Sequence, residues 1–338
     1  MEKKLGARTY RLPSCPAVVS YASAVGKKEG EGPLGKRFDQ IFPDTKMGES
    51  TWEKAESAFQ KAACGKALEK AGLSAGALDL LLAGDLLNQC IGTTYAARET
   101  AAPFFGLYGA CSTMAESLAL AGMLLDGGFG RFACAVTSSH FCTAERQYRT
   151  PLEYGGQRTP TAQWTATASG AVLLGRQGAG PFLTHVTVGV VTDWGIKDAN
   201  NMGAAMAPAA YETIRAHLAD TGRAPEQYDL IVTGDLGQLG AQLMRELFRR
   251  DGVELGENYN DCGVMLYDLK RQDVHCGGSG CGCSAAVLTG LILDEMAAGR
   301  WNRVLFCGTG ALHSPVALGQ GESIPGICHA VAISNTKE

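Results

Sequence analysis

The chain has 338 residues, of which 46% are hydrophobic and 19% are charged, so it can bury a large core and is not intrinsically disordered. Thirty basic and thirty-four acidic residues give a net charge of -4, which argues against a nucleic-acid-binding protein that works by neutralising phosphates. No apolar run reaches the roughly 18 residues of a membrane span, and no signal peptide precedes the first motifs. We therefore expect a soluble, cytosolic protein of about two domain equivalents.

The cysteine content indicates free thiols rather than a disulfide framework. Twelve cysteines in 338 residues are too few for a disulfide-stapled scaffold, and a cytosolic chain keeps its thiols reduced. Cys276, Cys281 and Cys283, with Cys262 upstream, lack the paired spacing of a structural zinc site. We therefore predict no metal site and expect most of these thiols to be buried.

The first predicted helix begins after Ser50. Ser50 and Glu53 have the spacing of a capping box, in which the serine side chain caps the helix and the glutamate reaches back to it. We expect the helix to end at about Gly72. Its inner face is predicted from residues spaced four apart: Phe59, Ala63 and Ala67.

Two segments of the chain recur in the same order, which predicts an internal duplication. Residues 79–86 read DLLLAGDL and return at 229–236 as DLIVTGDL, each with the pattern of a buried strand that ends in a turn. Residues 111–137 return as residues 283–309. Each of these longer copies contains an apolar stretch of helical length, a glycine, an arginine and a strand-like run.

Each half of this duplication reads as helix, strand, connection, helix and strand. In the first half the second helix is predicted over residues 114–125, with Gly127 as the left-handed residue after its end. In the second half, residues 209–221 form the helix before the repeated strand. Alternation of this kind builds an α/β layer, and we place the two halves at residues 15–180 and 181–335.

Cys111 is the first candidate functional residue because it opens the 114–125 helix. It lies in the turn Gly109-Ala110-Cys111-Ser112-Thr113, where the dipole and free amide groups of a helix N-terminus favour a thiolate and a bound anion. The alternative is a buried, inert thiol. The recurrence of this cysteine as Cys283 favours the functional interpretation.

A duplicated βα half with a Gly-Ala-Cys-Ser turn before its central helix resembles the thiolase superfamily, over about residues 15–335. The resemblance implies an α/β thiolase-like duplicated fold, with two mixed five-stranded sheets in a five-layer αβαβα sandwich, and it implies a homodimer. Thiolases and ketoacyl-acyl-carrier-protein synthases of that superfamily use the matching cysteine, here Cys111, as an acyl-accepting nucleophile.

The groups that such enzymes place around the cysteine are missing from the matching positions. The resemblance calls for a histidine after the second-half strand, where this chain has Gly234-Asp235-Leu236-Gly237, and for an asparagine or histidine in the Gly-rich loop at 277–282. A nucleophilic thiol needs a base, and decarboxylation needs donors for the developing enolate. We therefore predict a cavity without catalysis. The alternative is an acyltransferase in which His140 or His313 serves Cys111 as the base.

Residues 138–165 narrow the resemblance to the stage V sporulation protein AD family of endospore-forming bacteria, as do residues 48–53 and 85–90. It implies a non-catalytic protein that binds dipicolinic acid, free or as its calcium chelate, and uses no cofactor. It also implies a cytoplasmic protein, peripheral to the inner forespore membrane, that assists uptake of the acid into the developing spore. Integral membrane proteins of the same spore transport system are the implied partners.

Dipicolinate is pyridine-2,6-dicarboxylate, a flat dianion at neutral pH, so its site should offer cations and an apolar or aromatic wall. The candidate ligand-binding residues are Cys111, His140, Arg146, Arg149, Arg158 and His313, with the aromatic residues Phe141, Tyr148 and Tyr154 between the cations. Charge-assisted hydrogen bonds contribute about 1.5–3 kcal/mol each, so two arginines with ring burial approach the roughly 8 kcal/mol of a micromolar complex. Arginines in a charged run are also typical of a solvated surface, and His140 fits a core histidine equally well. A third hypothesis is a scaffold that recruits membrane partners through its surface.

Overall fold

The computed structural model describes residues 3–149 and 158–338. Its strands are β1 (Lys4–Leu5), β2 (Thr9–Arg11), β3 (Ala17–Gly26), β4 (Gln40–Phe42), β5 (Leu80–Gly84), β6 (Phe104–Gly106), β7 (Phe132–Ser139), β8 (Trp164–Thr165), β9 (Ala168–Gly175), β10 (Phe182–Thr187), β11 (Leu230–Thr233), β12 (Tyr259–Asp261), β13 (Gly278–Ser279), β14 (Arg303–Ala311) and β15 (Gly326–Ser334). Its helices are α1 (Lys27–Gly30), α2 (Trp52–Ala71), α3 (Ile91–Thr100), α4 (Thr113–Asp126), α5 (Phe141–Tyr148), α6 (Met202–Thr221), α7 (Gly237–Arg250), α8 (Cys262–Leu266), α9 (Cys281–Val287), α10 (Leu293–Ala297) and α11 (Pro315–Gly319). A π-helical turn at Leu288–Ile292 joins α9 to α10.

The main strands form one row that divides into two five-stranded sheets. The first-half sheet has the order β3-β9-β7-β5-β6, and the second-half sheet has the order β12-β11-β14-β15-β10. Each sheet is mixed, because β5 and β11 make parallel pairs whereas β9 and β15 make antiparallel pairs. The two sheets meet where Phe182 pairs with Ala17. The predicted pair of mixed five-stranded sheets is confirmed, and the boundary predicted at residues 180–181 lies between β9 and β10.

Helices cover both outer faces of the sheets and fill the space between them. α2 packs against β3 and β9 on the first-half sheet, and α6 packs against β14 and β15 on the second-half sheet. α4 lies between the sheets, because it contacts β5 and β7 on one side and β14 and β15 on the other. α9 shares this central layer and packs against β7 and β9. The five-layer αβαβα sandwich predicted for the chain is therefore present.

α2 forms where the sequence predicts a helix, but its cap is one residue later. The backbone is extended at Thr51, and the Thr51 hydroxyl accepts a hydrogen bond from the Lys54 N–H at 3.3 Å. Thr51, rather than Ser50, therefore caps the helix. Gly72 ends it in the left-handed conformation, as predicted. The predicted inner face is fully buried: Phe59, Ala63 and Ala67.

The central helix α4 extends one residue beyond the prediction at each end. Gly127 continues the right-handed backbone with a φ of -74°, and the left-handed residue is Gly128 with a φ of 85°. The prediction that Gly127 takes the left-handed position is therefore wrong by one residue. The reason is local, since two consecutive glycines offer the same conformational freedom.

α6 begins at Met202 rather than at residue 209, because the Asn201 side chain caps it by accepting a hydrogen bond from the Ala204 N–H. Pro208 lies inside this helix, although proline is more typical of a helix start. The helix ends at Thr221, as predicted.

Equivalent carboxylates fix equivalent turns in the two halves. Asp79, before β5, accepts hydrogen bonds from the backbone N–H groups of Arg131 and Phe132. Asp229, before β11, accepts from the backbone N–H groups of Asn302 and Arg303. Each aspartate thus ties the start of one parallel strand to the start of its neighbour, as an internal duplication requires.

The start of α9 lies unusually close to the first-half sheet. A methyl group at Gly282 would lie 2.3 Å from the carbonyl oxygen of Ala168, and one at Gly170 would lie 2.5 Å from the carbonyl oxygen of Ala285. Both distances are shorter than a side chain can tolerate, so helix and sheet can approach this closely only through glycine.

Among residues 3–149 and 158–338, no helix combines the length and the apolar character that crossing a membrane requires. All twelve cysteines are free thiols.

Candidate functional site

A cavity of about 570 Å³ opens at the turn before α4. Its walls come from that turn, from the segment after β6, from the end of α5, from the start of α6 and from the segment after β14. The cavity lining includes Tyr108, Cys111, Tyr148, Arg149, Met202 and His313. The volume lies within the range of small-molecule sites.

Cys111 reaches the cavity from a short 3-10 turn, Ala110–Ser112, directly before α4. Ala110 has a φ of 52°, in the left-handed region that non-glycine residues rarely adopt. The turn is held by the Ser112 hydroxyl, which donates to the Gly109 carbonyl oxygen at 2.6 Å. The Gly-bordered turn therefore presents Cys111 at the helix start, as the sequence predicts.

Asp235 is the site residue that the sequence reasoning missed. It follows β11, is fully buried and lies against the Cys111 thiol. Its carboxylate accepts hydrogen bonds from the Gly280 N–H at 2.7 Å and from the Thr309 hydroxyl at 2.8 Å. The repeat held the signal, since Asp85 and Asp235 occupy the same position in its two copies. Asp235 stands where the thiolase resemblance calls for a histidine.

The thiol of Cys111 is held in its protonated form. Burial, followed by the neighbouring Asp235 carboxyl, raises the pKa of Cys111 well above its usual value. Burial also raises the pKa of Asp235. The prediction of a thiolate at this helix start is therefore wrong, because desolvation and an adjacent acid outweigh the helix dipole.

Arg149 and His313 line the same cavity as Cys111. The Arg149 guanidinium pairs with the Glu145 carboxylate and donates to the Gln163 carbonyl oxygen at 3.2 Å. Both ring nitrogens of His313 are buried and make no hydrogen bond within the described part of the chain. Burial, with a smaller contribution from Arg149, lowers the pKa of His313, so the imidazole is neutral at pH 7. Within the described part of the chain, the cavity therefore contains a neutral imidazole that makes no hydrogen bond and lies near the Arg149 cation.

Two tyrosines form an aromatic wall of the cavity next to Arg149 and His313. The Tyr148 ring centroid lies 5.7 Å from that of His313. The Tyr148 hydroxyl lies 3.1 Å from the Tyr108 hydroxyl and donates to the Leu86 carbonyl oxygen. The two tyrosines fix one another, so this wall offers flat apolar surface with few free rotamers.

His140 lies outside the cavity and has a structural role. Its Nδ1 accepts a hydrogen bond from the Cys142 N–H at the start of α5, and its Nε2 lies 2.9 Å from the Thr45 carbonyl oxygen. Its ring packs against Trp52 at 5.3 Å. This placement matches the core histidine that the sequence left open as the alternative, and it gives the predicted ligand role no support.

Arg146 and Arg158 also lie outside the cavity. Arg146 is half-exposed and pairs with Glu53. Arg158 pairs with Asp273 at 2.6 Å, and its guanidinium carbon lies 4.7 Å from the ring centroid of Trp164. Arg146 and Arg149 therefore have different carboxylate partners, Glu53 of α2 and Glu145 of α5. The predicted group of three arginines is therefore not assembled in one pocket.

Of the two other predicted aromatic residues, Phe141 and Tyr154, the structure describes Phe141. Phe141 stacks on Trp164 with 3.8 Å between ring centroids, away from the cavity lining. Tyr154 lies outside the described residues. Tyr148 is thus the aromatic residue of the predicted run that the structure places in the cavity.

No group of three or more His, Cys, Asp or Glu side chains within residues 3–149 and 158–338 is arranged to hold a metal ion. The cysteines of the second-half loop face different partners. The Cys276 thiol contacts the Pro160 carbonyl oxygen at 3.3 Å, and the Cys281 thiol contacts the Ser138 carbonyl oxygen at 3.0 Å.

Solved condensing enzymes share this fold over nearly their whole length. The 3-oxoacyl-[acyl-carrier-protein] synthase III of Aquifex aeolicus is 12% identical, with a TM-score of 0.58 over 94% of this chain and 99% of that one. A cysteine-to-serine variant of Xanthomonas campestris OleA, with bound lauric acid and lauroyl-CoA, is 14% identical, with a TM-score of 0.60 over 95% and 99%. The protein thus has the thiolase-like fold of condensing enzymes.

Sequence relatives define the family within that fold class. The family model of stage V sporulation protein AD (SpoVAD) matches residues 6–334. Stage V sporulation protein AD of Bacillus subtilis (strain 168) is 44% identical over 329 residues, which cover 97% of each chain. The chain therefore belongs to the stage V sporulation protein AD family, a family of sporulation proteins.

Proposed function

We propose that the protein binds dipicolinic acid, free or as its calcium chelate, in the Cys111 cavity and catalyses no acyl transfer. The observation that carries the proposal is that the buried ring nitrogens of His313 have no hydrogen-bond partners among the described residues and share a tyrosine-walled cavity with Arg149. A flat aromatic acid would supply acceptors for these two side chains and a ring for the wall. Membership of a sporulation family supports this choice among aromatic acids.

The energy of such a complex must come from several sources. One charge-assisted hydrogen bond to Arg149 contributes about 1.5–3 kcal/mol, which alone falls short of the roughly 8 kcal/mol of a micromolar complex. His313 and the Tyr108 hydroxyl offer further hydrogen bonds. Burial of the ring against Tyr148 adds about 25 cal/mol for each Å² of apolar surface removed from water.

The acyltransferase alternative lacks the chemistry it needs. A cysteine nucleophile reacts as the thiolate and requires a base, whereas Cys111 has a raised pKa and a carboxyl neighbour. His140 is occupied at the start of α5, and His313 makes no hydrogen bond to a described residue. Incubation with acyl-CoAs followed by intact-mass measurement should show no adduct. An adduct that disappears in Cys111→Ser would favour the enzyme.

Calorimetry with dipicolinate tests the binding proposal directly. The wild-type protein should bind, and Arg149→Gln should weaken binding about 10- to 100-fold, because about 1.5–3 kcal/mol of charge-assisted bonding is lost. Arg146→Gln is the matched control, since Arg146 lies one turn away and pairs with Glu53 instead. Its affinity should equal that of the wild type. Absence of binding by the wild-type protein would refute the proposal.

We also propose that the protein forms a homodimer through the outer edge of β6. β6 is the last strand of the first-half sheet, and Phe104 and Phe105 are 37% and 53% exposed there. An exposed apolar edge strand is a ready template for pairing with a second strand. Light scattering should give a dimer for the wild type and a monomer for Phe105→Glu. A wild-type monomer would refute this part of the proposal.

We propose finally that the protein works at the inner forespore membrane with integral membrane proteins of the same spore transport system. Family membership supports this assignment. Fractionation of sporulating cells should recover the protein with the forespore membrane, and its recovery should fall when those membrane proteins are deleted. If the protein were only a scaffold, Arg149→Gln would leave the dipicolinate content of spores unchanged, whereas the binding proposal requires a decrease.

A further inference from the structure

His313 differs from the buried His217 because its ring nitrogens have no hydrogen-bond partner among the described residues. His217 lies 2.7 Å from the Thr187 hydroxyl and 2.5 Å from the Tyr228 hydroxyl. His313 has neither kind of contact at Nδ1 or Nε2 within the described residues. A buried polar group without a partner costs about 1–3 kcal/mol. The ring nitrogens of His313 are therefore available to form a hydrogen bond with a group that enters the cavity.

The charges that face His313 come from several elements. α5 contributes its last residue, Tyr148, and the next residue is Arg149, which is paired with Glu145. The segment after β6 contributes Tyr108, the turn before α4 contributes Cys111 with Asp235 behind it, and α6 contributes only uncharged side chains to this wall. Because Glu145 offsets Arg149, the described lining of the cavity has little net positive charge while His313 is neutral.

We propose that His313 takes up a proton when a dicarboxylate enters the cavity, and that the resulting imidazolium makes the site select two carboxylates over one. This inference rests on the proposed function. The proton comes from the solvent and adds to the free ring nitrogen, and no other bond forms or breaks.

The charges of the ligand and the cavity determine whether His313 is protonated in the complex. A dianion brings two negative charges to a cavity in which Arg149 supplies one cation that is already shared with Glu145. An anion within about 4–6 Å favours the charged form of a histidine and so raises its pKa. In the free protein the pKa of His313 is lowered, mainly by burial. Binding of the ligand therefore raises the pKa of His313 from this lowered position.

Proton uptake by His313 makes the affinity for dipicolinate decrease as the pH rises. Affinity for dipicolinate is highest below the pKa of His313 in the free protein, and it falls as the pH rises from that value to the pKa in the complex. The decrease is up to about tenfold per pH unit between the two values. A ligand with a single carboxylate, held by Arg149, should show a smaller dependence.

Calorimetry in two buffers of different ionisation enthalpy, HEPES and Tris, counts the protons taken up. The probes are dipicolinate and picolinate, which has one carboxylate on the same ring. At about pH 7 we expect uptake approaching one proton with dipicolinate and clearly less with picolinate. His313→Gln should abolish the uptake and lower the preference for dipicolinate by about tenfold. His275→Gln, which alters a histidine outside the cavity lining, should retain both.

The outcomes separate the inference from the function on which it rests. If the wild-type protein binds dipicolinate without proton uptake and with equal affinity from about pH 6 to about pH 8, the inference is overturned and the proposed function stands. Uptake that persists in a folded His313→Gln variant also overturns it. If the wild-type protein binds no dipicolinate, the proposed function itself fails. The wild-type proton count is decisive even if the variant does not fold.

Discussion

The two halves of the molecule place an aspartate at the same point and use it differently. Asp85, after β5, accepts hydrogen bonds from the backbone N–H groups of Leu87 at 2.7 Å and Thr93 at 2.6 Å. It is therefore a structural residue that holds the turn after its strand. Asp235, after β11, instead lies against the thiol of Cys111, which lines the cavity.

A third aspartate explains the difference. Asp261 accepts hydrogen bonds from the backbone N–H groups of Leu236 and Gly237, both at 2.9 Å, and so holds the second-half turn. Asp235 is therefore not needed to hold the turn after β11. In the second half, a residue outside the repeated segments thus holds the turn, and the repeated aspartate contacts Cys111.

The cysteines of the repeat differ in the same way. Cys111 precedes α4 and reaches the cavity, whereas Cys283 lies within α9 and is fully buried. The duplication therefore supplies two similar helix starts, of which the first lies at an open site. Substitutions at the repeated aspartates and cysteines test how far equivalent residues of the two halves differ in their roles.

Replacement of Asp85 should have the largest effect. Asp85→Ala removes the acceptor of two buried backbone N–H groups, each worth about 1–3 kcal/mol when left unsatisfied, so we expect a loss of about 3 kcal/mol or more in the free energy of unfolding. Urea denaturation measures it. Asp85→Asn keeps an acceptor oxygen and should lose less. A loss below about 1 kcal/mol in the alanine variant would contradict the structural role.

Serine substitutions should separate the two cysteines. Cys283→Ser buries a hydroxyl in an apolar environment and should cost about 1–3 kcal/mol of unfolding free energy. Cys111→Ser places its hydroxyl beside Asp235 and the cavity, so its cost should stay below about 0.5 kcal/mol. Denaturation of both variants in parallel provides the measurement. Equal losses would show that the two helix starts are equivalent after all.

Replacement of Asp235 should change reactivity more than stability. Asp235→Asn removes the acid beside Cys111 and should lower the pKa of its thiol, and a decrease of about one pKa unit raises the thiolate fraction about tenfold. We therefore expect alkylation of Cys111 by iodoacetamide to accelerate about tenfold at about pH 8. The Cys111→Ser variant gives the background from the other thiols. An unchanged rate would mean that burial alone suppresses the thiolate.

A smaller effect than that of Asp85→Ala is expected at the turns where the two halves agree. Asp79→Ala and Asp229→Ala each remove one acceptor of two backbone N–H groups at the protein surface, where water replaces the lost bond. Each should lower the free energy of unfolding by about 1 kcal/mol. The two losses, measured by urea denaturation, should match. A clear difference between them would weaken the equivalence of the two turns.

The sequence predicts the fold better than it predicts the site. The inner face of α2 follows from a periodicity of local residues, and its end follows from Gly72. The contact between Asp235 and Cys111 depends instead on two elements that meet only in the folded chain. Sequence proximity also misleads, because Arg146 lies three residues from Arg149 but pairs with α2 outside the cavity.

The glycines at the start of α9 limit how the ligand range of the cavity can change. Gly282 leaves no space between that helix and Ala168, so Ser279 and the cavity floor beside it cannot retreat to admit a bulkier molecule. α11 differs in this respect, because its Val316 lines the cavity and is exposed, and a methyl group at Gly319 would meet no atom within 4 Å. Trimming Val316 is therefore the first substitution to make when the cavity is redesigned for a larger ligand.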